Sequence, residues 1–157
     1  MAKKIEELLK EAKIGSLKLP VPVVCSKDIT LEEAIEIMQR GQIGYVVVVE
    51  NKKVLGIFTE KDVTLNILER GVDLKDPVSK HMNSSIQMLT PKDSIGQAID
   101  LMHTYEYRHI VLVNDERELV SVLSVRAIIR FLAEHYPAEV LNLPPRHGQI
   151  MIARDGG

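Results

Sequence analysis

The chain has 157 residues, of which 45% are hydrophobic and 27% are charged, and its formal net charge is −2. This composition is typical of a globular protein and argues against disorder. The near balance of charge argues against nucleic acid or an anionic membrane as a partner. No apolar run approaches the ~18 residues that a membrane helix needs, and a single cysteine, Cys25, excludes an intrachain disulfide. We therefore expect a cytoplasmic protein without a membrane segment.

The N-terminal segment predicts a helix over residues 1–14. Its apolar side chains Ile5, Leu8, Leu9 and Ala12 recur at the spacing of one helix face, and charged residues occupy the other positions. Such a helix needs an apolar surface to pack against. We expect that surface to be supplied by the rest of the chain.

An internal repeat follows, and its second copy carries one extra residue in the turn between the two strands. The segment TLEEAIEIM (30–38) matches SIGQAIDLM (94–102), so that Thr30 corresponds to Ser94. Each copy starts with a hydroxyl residue followed three positions later by Glu or Gln, which is the capping-box signature of a helix N-terminus. The sequence therefore predicts two helices of the same design.

Two apolar runs follow each of these helices, and each pair predicts a β-hairpin. The runs are YVVVV (45–49) and VLGIF (54–58) in the first copy, and HIVLV (109–113) and LVSVL (119–123) in the second. A second helix then begins after Thr59 or Ser124. With extended segments at 22–25 and 85–89 before each copy, the unit is predicted as β-α-β-β-α, which is a mixed α/β fold.

The order of these elements, the VxGIFTEKD stretch and the linker motif DPVSKHM together resemble a pair of cystathionine β-synthase (CBS) domains. The similarity covers about residues 22–133. It implies two repeats packed through their sheets as a pseudo-twofold pair, also called a Bateman module, with clefts where the repeats meet. It also implies a homodimer formed through the helix faces.

The chain is accordingly expected to have five parts. They are an N-terminal helix (1–14), a first repeat (15–72), a linker (73–83), a second repeat (84–137) and a C-terminal tail (138–157). Neither repeat alone buries both its sheet face and its helix stripe, so we expect the two copies to pack against each other.

In nucleotide-binding members of the family that the chain resembles, a Thr or Ser and an Asp three residues later contact the ribose. Here those residues are Thr59 and Asp62. A carboxylate accepts charge-assisted hydrogen bonds from vicinal hydroxyls, which suits this role. The same spacing is also a variant of the capping box, so a purely structural role for Asp62 stays open. The second copy keeps the hydroxyl at Ser124 but has Ala127 in place of the acid, which argues against a ribose site there and leaves the occupancy of the second cleft open.

The resemblance also implies residues for the rest of the ligand. Adenine is expected against Ile86 and Gln87 of the second copy, and phosphate on Arg126, whose counterpart in the first copy is Lys61. Arg108 and His109 are further phosphate candidates. For His109 the alternative is a strand histidine satisfied by the backbone, and for Arg108 it is an edge charge that discourages aggregation.

The function implied is a regulatory module that binds an adenosine-containing ligand, such as AMP, ADP, ATP, NAD(H) or S-adenosylmethionine, and signals to an effector protein. The alternative is a dimerisation or docking module with a vestigial cleft. The five histidines are scattered and there is one cysteine, so no metal site is expected. No nucleophile and base pair is recognisable either, and we do not expect an enzyme.

Overall fold

The computed structural model describes residues 2–136, so Met1 and the predicted tail at 138–157 lie outside the described residues. In chain order the elements are helix α1 (Ala2–Glu11), a 3-10 turn (Ile14–Ser16), strand β1 (Val24–Ser26), helix α2 (Leu31–Gly41), strands β2 (Tyr45–Glu50) and β3 (Lys53–Thr59), the short helix α3 (Glu60–Asp62) continued by a π-helical segment (Val63–Leu68), a second 3-10 turn (Val78–Lys80), helix α4 (Ile95–Tyr105), strands β4 (His109–Val113) and β5 (Leu119–Ser124), and helix α5 (Val125–His135).

The two predicted capping boxes are confirmed at the starts of α2 and α4. The Thr30 hydroxyl accepts from the Glu33 N–H at 3.1 Å, and the Glu33 carboxylate accepts from the Thr30 N–H at 2.8 Å. Ser94 and Gln97 make the same reciprocal pair at 3.1 and 2.8 Å. Because these bonds satisfy N–H groups that a helix start leaves free, each sequence copy fixes where its helix begins.

The strands form two small sheets, one in each repeat. In the first, β1 pairs parallel with β2, and β2 pairs antiparallel with β3; in the second, β4 pairs antiparallel with β5. Both hairpins carry a register shift at the same place, after Val48 in one and after the equivalent residue, Leu112, in the other. The internal repeat therefore extends to the irregularities of the strands.

Alternate residues of the central strands enter different cores. Val46 and Val48 pack under the helices of the first repeat, and Ile110 and Leu112 under those of the second. The residues between them enter a third cluster that both sheets share: Tyr45, Val47, Ile57, Val111, Val113 and Val122. Since each strand is buried on both faces, its sequence is a continuous apolar run. Burial of each such aliphatic side chain contributes about 1.5–3 kcal/mol.

The segments that precede the repeats pack against the opposite repeat. Ile14, which follows α1, is fully buried in the core of the second repeat, where its N–H donates to the Asp93 carbonyl at 2.9 Å. Val78, which the repeat aligns with Ile14, is fully buried in the first repeat, and its N–H donates to the Ile29 carbonyl at 2.8 Å. The N-terminal helix accordingly packs on α4. This exchange ties the two halves together.

Two predicted elements differ from the structure. Residues 85–89, predicted as a strand, contribute only an isolated bridge between Leu89 and Leu112. One reason is that the Gln87 N–H donates to the Tyr107 hydroxyl at 3.4 Å instead of to a strand. The helix predicted after Thr59 has only one α-helical turn before it becomes π-helical at Val63, whereas its counterpart α5 is α-helical over its whole length.

Candidate functional site

A cleft of about 250 Å³ opens between the two repeats. This volume is close to the lower end of the range for small-molecule sites, roughly 300–1,000 Å³. One wall comes from the end of β3 and the start of α3, and the opposite wall from the segment before α4 and the α4–β4 connection. The lining residues are Gly44, Ile57, Thr59, Glu60, Lys61, Asp62, Leu65, Asn66, Asn83, Ile86, Gln87, Tyr105, Glu106, Tyr107, Arg108, His109 and Val111.

The Asp62 carboxylate is held at the first turn of α3. Its Oδ2 accepts from the Thr59 N–H at 2.9 Å and from the Thr59 hydroxyl at 3.0 Å, while Oδ1 has only a long contact with the Asn66 amide at 3.5 Å. Burial raises the pKa of Asp62, and the hydrogen bonds from Thr59 and the charge of Lys61 oppose this effect. The capping role is therefore real, and it leaves one carboxylate oxygen available to a ligand.

Seven of the nine residues singled out in the sequence line this cleft: Thr59, Lys61, Asp62, Ile86, Gln87, Arg108 and His109. Ser124 and Arg126 are not among the lining residues. Ser124 is paired with His109 across the β4–β5 hairpin, and Arg126 lies in the first turn of α5. The structure thus brings the two proposed ribose residues, the two adenine residues and three basic side chains together.

Arg126 is nevertheless close enough to act on His109 electrostatically. Burial lowers the pKa of His109; the carboxylate of Glu60 opposes this, and the charges of Arg108 and Arg126 add to it. The His109 ring also contacts the Tyr45 ring, with centroids 4.9 Å apart. The side chain is therefore a neutral imidazole at neutral pH, placed between the shared core and the cleft.

The equivalent position in the second repeat lacks the carboxylate. The Ser124 hydroxyl accepts from the Ala127 N–H at 3.1 Å, which caps α5, but Ala127 returns no hydrogen bond. By contrast, Thr59 and Asp62 form a reciprocal box. The two helix starts therefore share the capping hydroxyl and differ in the carboxylate.

Several residues that line the cleft were not predicted from the sequence. Tyr105 and Tyr107 stack on each other with centroids 5.3 Å apart and an interplanar angle of 18°, and they lie at the mouth of the cleft. Glu106, between them, is 4.0 Å from Lys61 on the opposite wall. The signal available in the sequence was the YEYRH cluster at 105–109, since the chain has only four tyrosines. Asn66 and Asn83 gave no comparable signal.

The described residues 2–136 offer no group of three or more metal-ligating side chains. Within the same range, no helix is both long enough and apolar enough to cross a membrane. Cys25 is buried in β1, and this burial raises its pKa to about 11. Its thiol is therefore protonated at neutral pH, which is the weakly nucleophilic form.

Comparison with known sequences identifies the repeats. The profile of the CBS domain family matches residues 14–69 and 78–134. An uncharacterised 17.7 kDa protein of Acidianus ambivalens is 26% identical over 123 residues, which are 78% of this chain and 74% of that protein. The inosine-5′-monophosphate dehydrogenase of Aquifex aeolicus is 27% identical over 130 residues, covering 82% of this chain but only 26% of the dehydrogenase. The match to that enzyme therefore involves a minor part of it.

Solved structures have the same architecture. The CBS domain pair of protein MJ0100, in complex with 5′-methylthioadenosine and S-adenosyl-L-methionine, aligns with a TM-score of 0.71 at 18% identity, over 79% of this chain and 98% of that one. The CBS domain protein PAE2072 of Pyrobaculum aerophilum, complexed with AMP, aligns with a TM-score of 0.67 at 28% identity, over 73% and 88%. With both repeats matched in sequence and in fold, this chain belongs to the CBS domain family.

Proposed function

We propose that this chain is a regulatory module that binds an adenosine-containing ligand in the cleft between its repeats. The observation that carries the proposal is the Asp62 carboxylate, which is fixed by Thr59 and has one oxygen available at a cleft lined by both repeats. The AMP bound to PAE2072, a protein 28% identical to this chain, supports an adenosine ligand.

Ribose recognition follows from the position of Asp62. Its Oδ2 is occupied by the two Thr59 donors, which fixes the plane of the carboxylate. Its Oδ1 is then oriented to accept from a ribose hydroxyl, with the Asn66 amide close by. Hydrogen bonds to an ionised acceptor are about twice as strong as those between neutral groups. Asp62 is therefore the main polar anchor of the proposed site.

The base is proposed to lie against the second repeat. Ile86 and Gln87 face the cleft before α4, and the stacked rings of Tyr105 and Tyr107 add aromatic surface at its mouth. A purine ring buries its faces well against such apolar side chains. In this arrangement the base touches one repeat and the ribose touches the other.

A ligand that touches both repeats stabilises one relative arrangement of them. The shift in population is limited by the difference in affinity between the arrangements. The chain then acts without chemistry of its own, as a sensor for a separate effector protein. We also place a homodimer contact on the helix faces, where Leu68 is 72% exposed and Ile129 is 52% exposed.

The second candidate function is a docking or dimerisation module in which the cleft is not used. It is favoured by the residue at position 127, because one of the two equivalent positions has an alanine and so offers no carboxylate to a ribose. The same exposed apolar side chains on the helix faces would serve this function.

Calorimetric titration distinguishes the two. AMP, ADP, ATP, NADH and S-adenosylmethionine are titrated into the wild-type protein and into Asp62→Asn and Asp62→Ala. We expect one of these ligands to bind with at least tenfold loss of affinity in both variants, because a charge-assisted hydrogen bond contributes about 1.5–3 kcal/mol. The matched control is Asp93→Asn, since Asp93 accepts from the Thr90 N–H at 2.8 Å in a similar cap outside the cleft. No binding by any ligand would favour the docking module.

A further inference from the structure

A second carboxylate faces the cleft, and no protein group pairs with it. The Glu60 main chain is fixed, because its N–H donates to the Gly44 carbonyl at 3.1 Å. Its carboxylate, however, accepts no hydrogen bond and forms no ion pair within residues 2–136. Asp62, two residues later, is held by Thr59. On this wall, Glu60 is therefore the acid whose carboxylate has no hydrogen-bond or ion-pair partner within residues 2–136.

Gly44 provides the space for this carboxylate. A Cβ placed on Gly44 would lie 3.1 Å from Glu60 Oε2 and 3.6 Å from His109 Cε1. A side chain at this position would be tightly packed against the Glu60 carboxylate and in ordinary van der Waals contact with the His109 ring. The carboxylate of one repeat and the imidazole of the other thus both lie beside Gly44 in the lining of the cleft.

The electrostatic coupling of these groups agrees with the geometry. The charge of Glu60 favours the protonated form of His109, whereas Arg108 and Arg126 disfavour it. Glu60 therefore acts on the same part of the cleft that holds the basic candidates for phosphate binding. It partly cancels the positive potential that Arg108 supplies there.

The side chains that line the cleft also carry more negative than positive charge. Three acidic side chains line it, at positions 60, 62 and 106, against the two basic side chains of Lys61 and Arg108, and His109 is neutral. Lys61 is already within 4.0 Å of Glu106, so these two charges offset each other at the mouth. The formal charge of the lining side chains is therefore −1, and Arg126 lies outside this lining.

On the basis of the proposed function, we propose that Glu60 sets the charge selectivity of the cleft. Its carboxylate faces the 5′ substituent of the nucleoside and favours a neutral or cationic group over a chain of phosphates. The ligand class that follows is an adenosine with an uncharged or positively charged 5′ group, for example a thioether or a sulfonium. Nucleoside di- and triphosphates are disfavoured.

The size of the effect is set by simple electrostatics. Two unit charges ~4 Å apart in water interact strongly enough to change affinity by about fivefold, and more where solvent is partly excluded. Removal of the Glu60 charge should therefore weaken binding of a cation and strengthen binding of a polyanion. Both effects should shrink as salt is added, because Glu60 is exposed.

The experiment compares three probes on three proteins at low ionic strength. S-adenosylmethionine carries a net positive charge, AMP is an anion, and ATP is more negative still. Each is titrated into the wild type, Glu60→Gln and the matched control Glu69→Gln, an exposed acid of the same segment outside the cleft. We expect the wild type to bind S-adenosylmethionine most tightly and ATP most weakly. In Glu60→Gln the ratio of the two affinities should fall by roughly tenfold.

The possible results separate this inference from the proposed function. Binding of the probes with the same affinity ratio in the wild type and Glu60→Gln, or a wild-type preference for ATP, overturns the role of Glu60 and leaves the proposed function standing. Absence of binding by every probe, and by ADP and NADH in the first titration, overturns the proposed function, and this inference falls with it. Equal melting temperatures of the wild type and Glu60→Gln show that any change in the ratio reflects charge and not folding.

Discussion

Tyr45 and His109 occupy equivalent positions of the two repeats, and their rings contact each other with centroids 4.9 Å apart at an interplanar angle of 49°. Each is the first residue of a central strand, β2 or β4. Contact between equivalent residues is expected at a twofold axis. Tyr45 is buried in the shared core, and His109 lines the cleft. This contact therefore connects the ligand side of the cleft with the packing of the two sheets.

The stability of the fold should depend on the protonation of His109. Burial lowers its pKa in the folded state, so the neutral form contributes stability that is fully present above the unfolded value of about 6.5. This contribution is lost as the pH falls through the lower, folded pKa. We expect the free energy of unfolding in urea to decrease more between about pH 7 and about pH 5 for the wild type than for His109→Gln. His103→Gln, on the exposed side of α4, is the control, and parallel curves for the wild type and His109→Gln would contradict the prediction.

Substitutions of Asp62 should separate capping from ligand binding. Asp62→Asn keeps an oxygen that can accept from the Thr59 N–H, and it removes a charge that burial disfavours. We expect its free energy of unfolding without ligand to be at or slightly above that of the wild type. Asp62→Ala loses the bonds from Thr59 to the carboxylate, keeps the one from the backbone N–H of residue 62 to the Thr59 hydroxyl, and should cost about 1 kcal/mol. Equal destabilisation by both substitutions, measured by urea unfolding at neutral pH, would show that the charge itself holds the α3 turn.

The second repeat should gain a carboxylate function by a single substitution. Ala127→Asp restores the spacing that Thr59 and Asp62 have in the first repeat, and Ser124 already supplies the hydroxyl. The added reciprocal bond and the favourable position at a helix N-terminus should stabilise α5 by about 0.5–1 kcal/mol. In calorimetry with the best adenosine ligand, we expect the number of sites per chain to rise from one to two. If the stoichiometry stays at one, the absence of an acid at position 127 does not explain why the second repeat binds no ligand.

Gly56 should not tolerate a side chain. A Cβ at this position of β3 would lie 2.6 Å from the Asn83 carbonyl oxygen and 2.9 Å from Met82 Sδ. The Asn83 carbonyl is itself fixed by the Ile57 N–H at 3.0 Å. Gly56→Ala should therefore lower the free energy of unfolding by about 1–3 kcal/mol, as overpacking does. Gly41→Ala, at the end of α2, is the matched control and should be neutral or stabilising; similar effects of the two substitutions would contradict this packing.

Much of the fold was predictable because its signals are local. The capping boxes at Thr30 and Ser94 depend on residues three positions apart, and the two-sided burial of β2 and β4 is visible in their continuous apolar runs. The hydroxyl and acid at Thr59 and Asp62 share one helical turn, so the sequence alone brings them together. The order of elements, which is the same in both copies, then identified each of them twice.

Other features needed the tertiary structure because they join residues far apart in the chain. Ile14 packs in the second repeat and Val78 in the first, an exchange that no local pattern reveals. In the same way, the Glu60 carboxylate and the His109 ring lie beside the same glycine, Gly44, only after the two sheets have packed. The sequence by itself determined the repeated unit and its ribose-type carboxylate, since these depend on local periodicity and short spacings. The tertiary structure decided which charges share the cleft, because only the packing of one repeat on the other brings those side chains within reach.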